Sequence, residues 1–112
     1  MHAITGLYYF NSTNEQFTYV GDWPIGFPNG VYLYEQSGNI YAISINPPSE
    51  IWQIDLNDPA NSVFIQNIAF PNTVSGAVMV NNEVFVTDEF WIYSYDPVTN
   101  TSQQVCNALQ WV

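Results

Sequence analysis

No lysine and no arginine occurs in these 112 residues, against 10 aspartates and glutamates, and the formal net charge is −10. Every surface patch is therefore negative or uncharged, so phosphate backbones and anionic headgroups are repelled instead of neutralised, and nucleic-acid binding is excluded. The same absence removes every Lys or Arg salt bridge and leaves His2 and the terminal amine as the internal cations. A single cysteine, Cys106, excludes an intramolecular disulfide and reads as a small buried hydrophobe, with an intermolecular bridge the remaining alternative. No window sustains apolar residues at helical spacing, and seven prolines and six glycines punctuate the chain. No apolar run reaches the length of a membrane span. The opening Met1-His2-Ala3-Ile4-Thr5-Gly6 has neither the basic nor the apolar stretch of an export signal.

What is present is apolar and aromatic. A hydrophobic fraction of 47% and an aromatic fraction of 17% are too rich for a disordered segment, and the length suits one domain. Charged residues make up only 9%, so the polar surface is built from Asn, Gln, Ser, Thr and Tyr. An acidic, basic-free chain without a trypsin-type cleavage site suits an exterior location, and an extracellular or cell-surface protein is expected.

Short runs rich in Val, Ile, Tyr, Phe and Trp predict ten strands: Leu7–Phe10, Gln16–Val20, Val31–Tyr34, Asn39–Ile45, Ile51–Ile54, Val63–Ile68, Gly76–Val80, Glu83–Thr87, Trp91–Tyr95 and Ser102–Cys106. The chain also repeats itself. Phe27-Pro28-Asn29 recurs as Phe70-Pro71-Asn72, 43 residues on, and Ile40-Tyr41 recurs as Val84-Phe85, 44 on. Phe10-Asn11, Ile54-Asp55 and Tyr95-Asp96 align with spacings of 44 and 41, and Trp111 follows Trp23 by 88. The expected fold is all-β, a series of antiparallel four-strand meanders with a period of about 44 residues.

Four-strand meanders at this period resemble β-propeller blades, and the segment Ile92-Tyr93-Ser94-Tyr95-Asp96-Pro97-Val98-Thr99-Asn100-Thr101 is similar to the third strand and turn of kelch-type blades. Where a kelch repeat carries a Gly-Gly pair, this chain has Val86-Thr87-Asp88. The resemblance implies a propeller-like repeat over about two and a half units: a half unit over 7–20, units over 31–68 and 76–106, and a C-terminal segment over 107–112.

A propeller closes with typically four or more blades, so two and a half units leave apolar faces and a strand edge to be covered. Either the chain is a fragment of a longer repeat protein or copies of it assemble. Met1 at the start favours assembly, as a ring or a filament. The residues expected to meet in trans are Tyr8, Tyr9, Phe10, Phe17 and Tyr19 at one end and Val105, Leu109 and Trp111 at the other, with Trp111 buried at the subunit boundary.

Chemistry has little to work with. His2 is the sole imidazole and sits at a terminus, which leaves hydrolytic triads without a dependable base. No phosphate loop, zinc spacing or dinucleotide fingerprint occurs, and no cofactor is expected. Carboxylate pairs such as Asp88-Glu89 or Asp55 with Asp58 read as turn residues, so no catalytic residue is assigned. Asp55, Asn57 and Asp58 are a weak calcium candidate that lacks the glycine and terminal glutamate of an EF-hand. Trp23, Trp52 and Trp91 are candidate glycan platforms, and Asn11 and Asn100 head sequons in polar turns. The expectation is a non-enzymatic, self-associating extracellular structural subunit without nucleic-acid or membrane-inserting partners. The alternative is a glycan-binding lectin that closes a propeller by oligomerisation.

Overall fold

A computed structural model describes residues 6–68 and 72–107. Ten strands run in chain order: β1 (Gly6–Asn11), β2 (Gln16–Asp22), β3 (Val31–Gln36), β4 (Asn39–Ser44), β5 (Glu50–Ile54), β6 (Val63–Asn67), β7 (Gly76–Val80), β8 (Glu83–Thr87), β9 (Trp91–Asp96) and β10 (Thr101–Asn107). One 3₁₀ turn, Pro59–Asn61, precedes β6. Each expected strand lies within two residues of an observed one. The chain is all-β, with antiparallel sheets of two strands (β1–β2), four strands (β3 to β6) and four strands (β7 to β10), each a meander in sequence order. This arrangement is compatible with a propeller-like repeat. Among the described residues no helix is long and apolar enough to cross a membrane.

Turn chemistry sets the meanders. Two-residue loops join β3 to β4 and β7 to β8, and their central residues, Ser37-Gly38 and Asn81-Asn82, all have positive φ (53°, 82°, 50° and 66°). Those angles match the twist of the flanking strands, which is why short hairpins use Gly and Asn there. After β1, β5 and β9 the same device recurs three times: the Asn11, Asp55 and Asp96 side chains accept the backbone N–H of Thr13, Asn57 and Val98, each at 2.9 Å. This Asx turn is the local reason that Asn or Asp follows the apolar residue in every copy. The link between the second and third strands of each four-stranded sheet is also closed by one side chain. Ser44 Oγ accepts Glu50 N–H and Asp88 Oδ1 accepts Trp91 N–H, each at 2.8 Å.

The strand period of two sends alternate residues to opposite faces. In β4, Tyr41 and Ile43 face the second four-stranded sheet, whereas Ile40 and Ala42 join Trp52, Ile54, Trp23 and Phe27 on the other side. The main core lies between the two four-stranded sheets, where Tyr34, Ile43, Ile51 and Ile68 meet Val74, Val84, Val86 and Tyr95. Burying each such Ile or Val contributes about 1.5 to 3 kcal/mol, so this interface holds the two repeats together. Spacing and facing agree, for Ile40 and Ala42 occupy the places that Val84 and Val86 take 44 residues later.

Candidate functional site

In each four-stranded sheet one face is termed leading (Ile40, Ala42, Trp52 and Ile54 in the first, Val84, Val86, Tyr93 and Tyr95 in the second) and the opposite face trailing, and the leading face of the first sheet packs against Trp23 and Phe27. The buried core is the trailing face of the first sheet (Tyr34, Tyr41, Ile43, Ile51) against the leading face of the second (Val84, Val86, Tyr93, Tyr95). Polar bonds tie the same seam. Gln66 Nε2 donates to Tyr95 Oη at 2.7 Å and to the Pro97 carbonyl at 3.0 Å, and Tyr95 Oη donates to Asn100 Oδ1 at 2.8 Å. Asn100 Nδ2 then reaches the Asn67 carbonyl at 3.0 Å. Burial pushes the Tyr95 hydroxyl up to about 12, and burial likewise raises that of Tyr34, so both stay neutral.

At the N-terminal end the β1–β2 hairpin presents aromatic rings to solvent. Tyr8 pairs with Tyr19 and Phe10 with Phe17 across the strands, with ring centroids 5.3 and 4.8 Å apart. Phe17 is 70% exposed and Tyr8, Phe10 and Tyr19 are each exposed as well. Tyr19 donates its hydroxyl to Asp22, and that bond raises the Tyr19 hydroxyl to about 12. Glycine is required beside this ring, since a Cβ at Gly6 would lie 2.6 Å from Tyr19 and from the Gly21 carbonyl. Tyr9 is exposed on the opposite side of β1.

At the other end, the trailing face of the second sheet carries Val78, Phe85, Ile92 and Cys106. Pairing places Val78 beside Phe85 and Ile92 beside Cys106. Val78 and Val80 are exposed, and Phe85, Ile92 and Cys106 are half-buried. Val105, in the β10 bulge, is exposed too, whereas Leu109, Trp111 and His2 lie outside the described residues.

Comparison with known proteins finds no matching family model and no matching curated relative. The molecule's own geometry must carry the functional reading.

Several sequence-level candidates take different places. Trp52 is 8% exposed, its indole N–H donates to Glu50 Oε1 at 2.8 Å, and Phe27 and Phe64 pack on its ring, so it is core and offers no platform to a sugar. Trp23 is half-buried and stacked on Phe27 at 4.4 Å, which occupies one of its faces, and Trp91 is half-buried in β9. The three indoles do not converge on one cavity among those lined by described residues.

The calcium candidate resolves into turn geometry: Asp55 Oδ1 accepts the Asn57 and Asp58 amides, and Asp58 Oδ2 accepts Asn61 Nδ2. Among the described residues no three His, Cys, Asp or Glu side chains gather as a metal site. Asp88 is buried, and its oxygens accept from Phe90 N, Trp91 N, Asn72 Nδ2 and Tyr93 Oη. Burial alone would raise its pKa, but these donors outweigh it and hold the carboxyl below its ordinary value.

The two sequons part company. Asn100 uses both ends of its amide within the seam, so a glycan there would cost the bond to the Asn67 carbonyl, whereas Asn11 has only its oxygen engaged, in its own turn.

Sequence reasoning missed a cleft of about 630 Å³ between the two four-stranded sheets, with Tyr34, Tyr41, Gln53, Asn82, Glu83 and Ser94 in its lining. Its lining residues come from both repeats, and only the alternation of faces, combined with the repeat frame, could have placed them together.

Proposed function

We propose that this chain is a non-enzymatic, self-associating structural subunit of an extracellular ring or filament. The exposed aromatic ladder of Tyr8, Phe10, Phe17 and Tyr19 carries the reading, because four large rings in a row on a two-stranded sheet cost solvation unless something covers them. Composition supports self-contact. With no basic residue to offset ten acidic ones, contacts between copies must be made by uncharged faces, and the ladder offers four uncharged rings with Asp22, held by Tyr19, at its end. The amide- and hydroxyl-rich, basic-free surface supports an exterior location.

Sedimentation velocity over a hundredfold concentration range, with negative-stain imaging of the same samples, tests the reading. Species that grow with concentration and collapse to a monomer in a Phe17→Asp variant support it. A wild-type chain that stays monomeric throughout overturns it.

The inter-sheet cleft favours one second reading, a glycan-binding protein. Tyrosine rings, side-chain amides and a hydroxyl without any cation are groups that hold a neutral polyol. A glycan array read against Tyr41→Ala separates the two, since sugar binding lost in that variant belongs to the cleft and not to the hairpin.

A further inference from the structure

Self-association does not by itself say which surfaces meet, and the repeat does. Three copies of the third strand occur in the chain: Tyr8 and Phe10 of β1 hold the positions of Trp52 and Ile54 in β5 and of Tyr93 and Tyr95 in β9. In both four-stranded sheets these two positions lie on the leading face. The hairpin's aromatic ladder therefore corresponds to a leading face, and its rings are exposed. At the far end, Ile92 holds the position of Ile51, and Cys106 that of Gln66, for Gln66 pairs with Ile51 and Cys106 with Ile92, each just past a bulge. Ile51 and Gln66 lie on the trailing face that is buried in the main core. The outer side of the second sheet therefore corresponds to a trailing face, on which Val78 and Val80 are exposed.

Resting on the self-association proposed above, we infer that the hairpin's aromatic face of one copy seats on the trailing face of the second sheet of another, repeating in trans the contact that joins the two four-stranded sheets within the chain. The occupant is a second copy because a trailing face of this chain already receives a leading face in its own internal seam, and Tyr8, Phe10, Val78, Phe85 and Ile92 are uncharged, with the acids Asp22, Glu83 and Asp96 at the ends of the two surfaces. The contact is heterologous, so each copy gives one surface and receives another. Its register follows from the internal seam. Gln66 touches Tyr95 there, which puts Cys106 opposite Phe10 of the next copy.

Crosslinking tests the register. Phe10→Cys, oxidised with diamide, should give a ladder of covalent oligomers on a non-reducing gel through Cys106, while Tyr9→Cys, on the opposite side of β1, should give none beyond the wild-type background. Equal ladders from both, or a wild-type Cys106–Cys106 dimer that neither variant extends, overturns the heterologous register. Assembly in sedimentation without a Phe10→Cys ladder overturns the register and leaves self-association standing, whereas no assembly at any concentration overturns both. A mixing experiment keeps the test independent of disulfide chemistry. Phe17→Asp and Val78→Asp chains, each monomeric alone, should form a one-to-one dimer when mixed, because each retains the surface the other has lost. Mixed chains that stay monomeric overturn the pairing.

Discussion

Gln66 and Tyr95 belong to different sheets and meet at 2.7 Å, the amide of one donating to the hydroxyl of the other. That hydroxyl is also the donor to Asn100 Oδ1. Tyr95→Phe removes it while keeping the ring in the core. Gln66 retains the Pro97 carbonyl, so the loss falls on Asn100, and a cost of about 1 to 2 kcal/mol is expected. Urea unfolding should show a lower midpoint with an unchanged m-value.

Asp88 makes stability depend on acid. Its carboxyl sits below the ordinary value of 3.8 in the folded chain, so on acidification the unfolded chain takes up the proton first. The contribution is complete above that value and is lost as pH falls from there through the lower folded value. Asp88→Asn keeps an acceptor for the two amides and loses the titration. Thermal midpoints measured from pH 6 down to pH 2 should fall less steeply in the variant than in the parent.

Glu15 sits at φ 56°, in the same turn position that Asn100 occupies at φ 53°. A glutamate gains nothing from the left-handed region and pays its steric penalty, which is about 1 kcal/mol or a little more. Glu15→Gly should raise the unfolding free energy by about 1 kcal/mol. An unchanged or lower midpoint would show that the turn is held by something other than its own backbone.

Ile43 is completely buried between the sheets, and Ile25 is completely exposed in the link to the first four-stranded sheet. Ile43→Ala should cost about 2 to 5 kcal/mol through lost burial and the cavity left behind. Ile25→Ala should change stability by less than about 0.5 kcal/mol. Parallel chemical denaturation of the two variants checks the contrast.

The strands were legible because their runs are bounded by turn residues with a physical reason to be there, Ser37-Gly38 and Asn81-Asn82 at the tight hairpins and Asn11, Asp55 and Asp96 at the wider turns. The repeat was legible for the same reason, since these turns recur in frame. Which face each residue takes was not legible strand by strand. Apolar residues fill both sides of β4, where Ile40, Tyr41, Ala42 and Ile43 run without a polar break, so the two-residue period is silent. The burial of Trp52 was hidden for a related reason: a count of indoles carries no information on exposure, and Trp52 has a ring cage in Phe27 and Phe64. Asn100 reads as a turn sequon until Tyr95 across its own turn and the Asn67 carbonyl of the neighbouring sheet engage its amide.

Among the described residues every sheet pairs strands with their immediate neighbours in sequence. Hairpin closure within each sheet then spans only a few residues, so the loop entropy to be overcome there is small. On a ribosome, the first four-stranded sheet has all its strands once Asn67 has emerged, before the second sheet has begun. It is then in place as the surface on which Val84, Val86 and Tyr95 settle as they arrive.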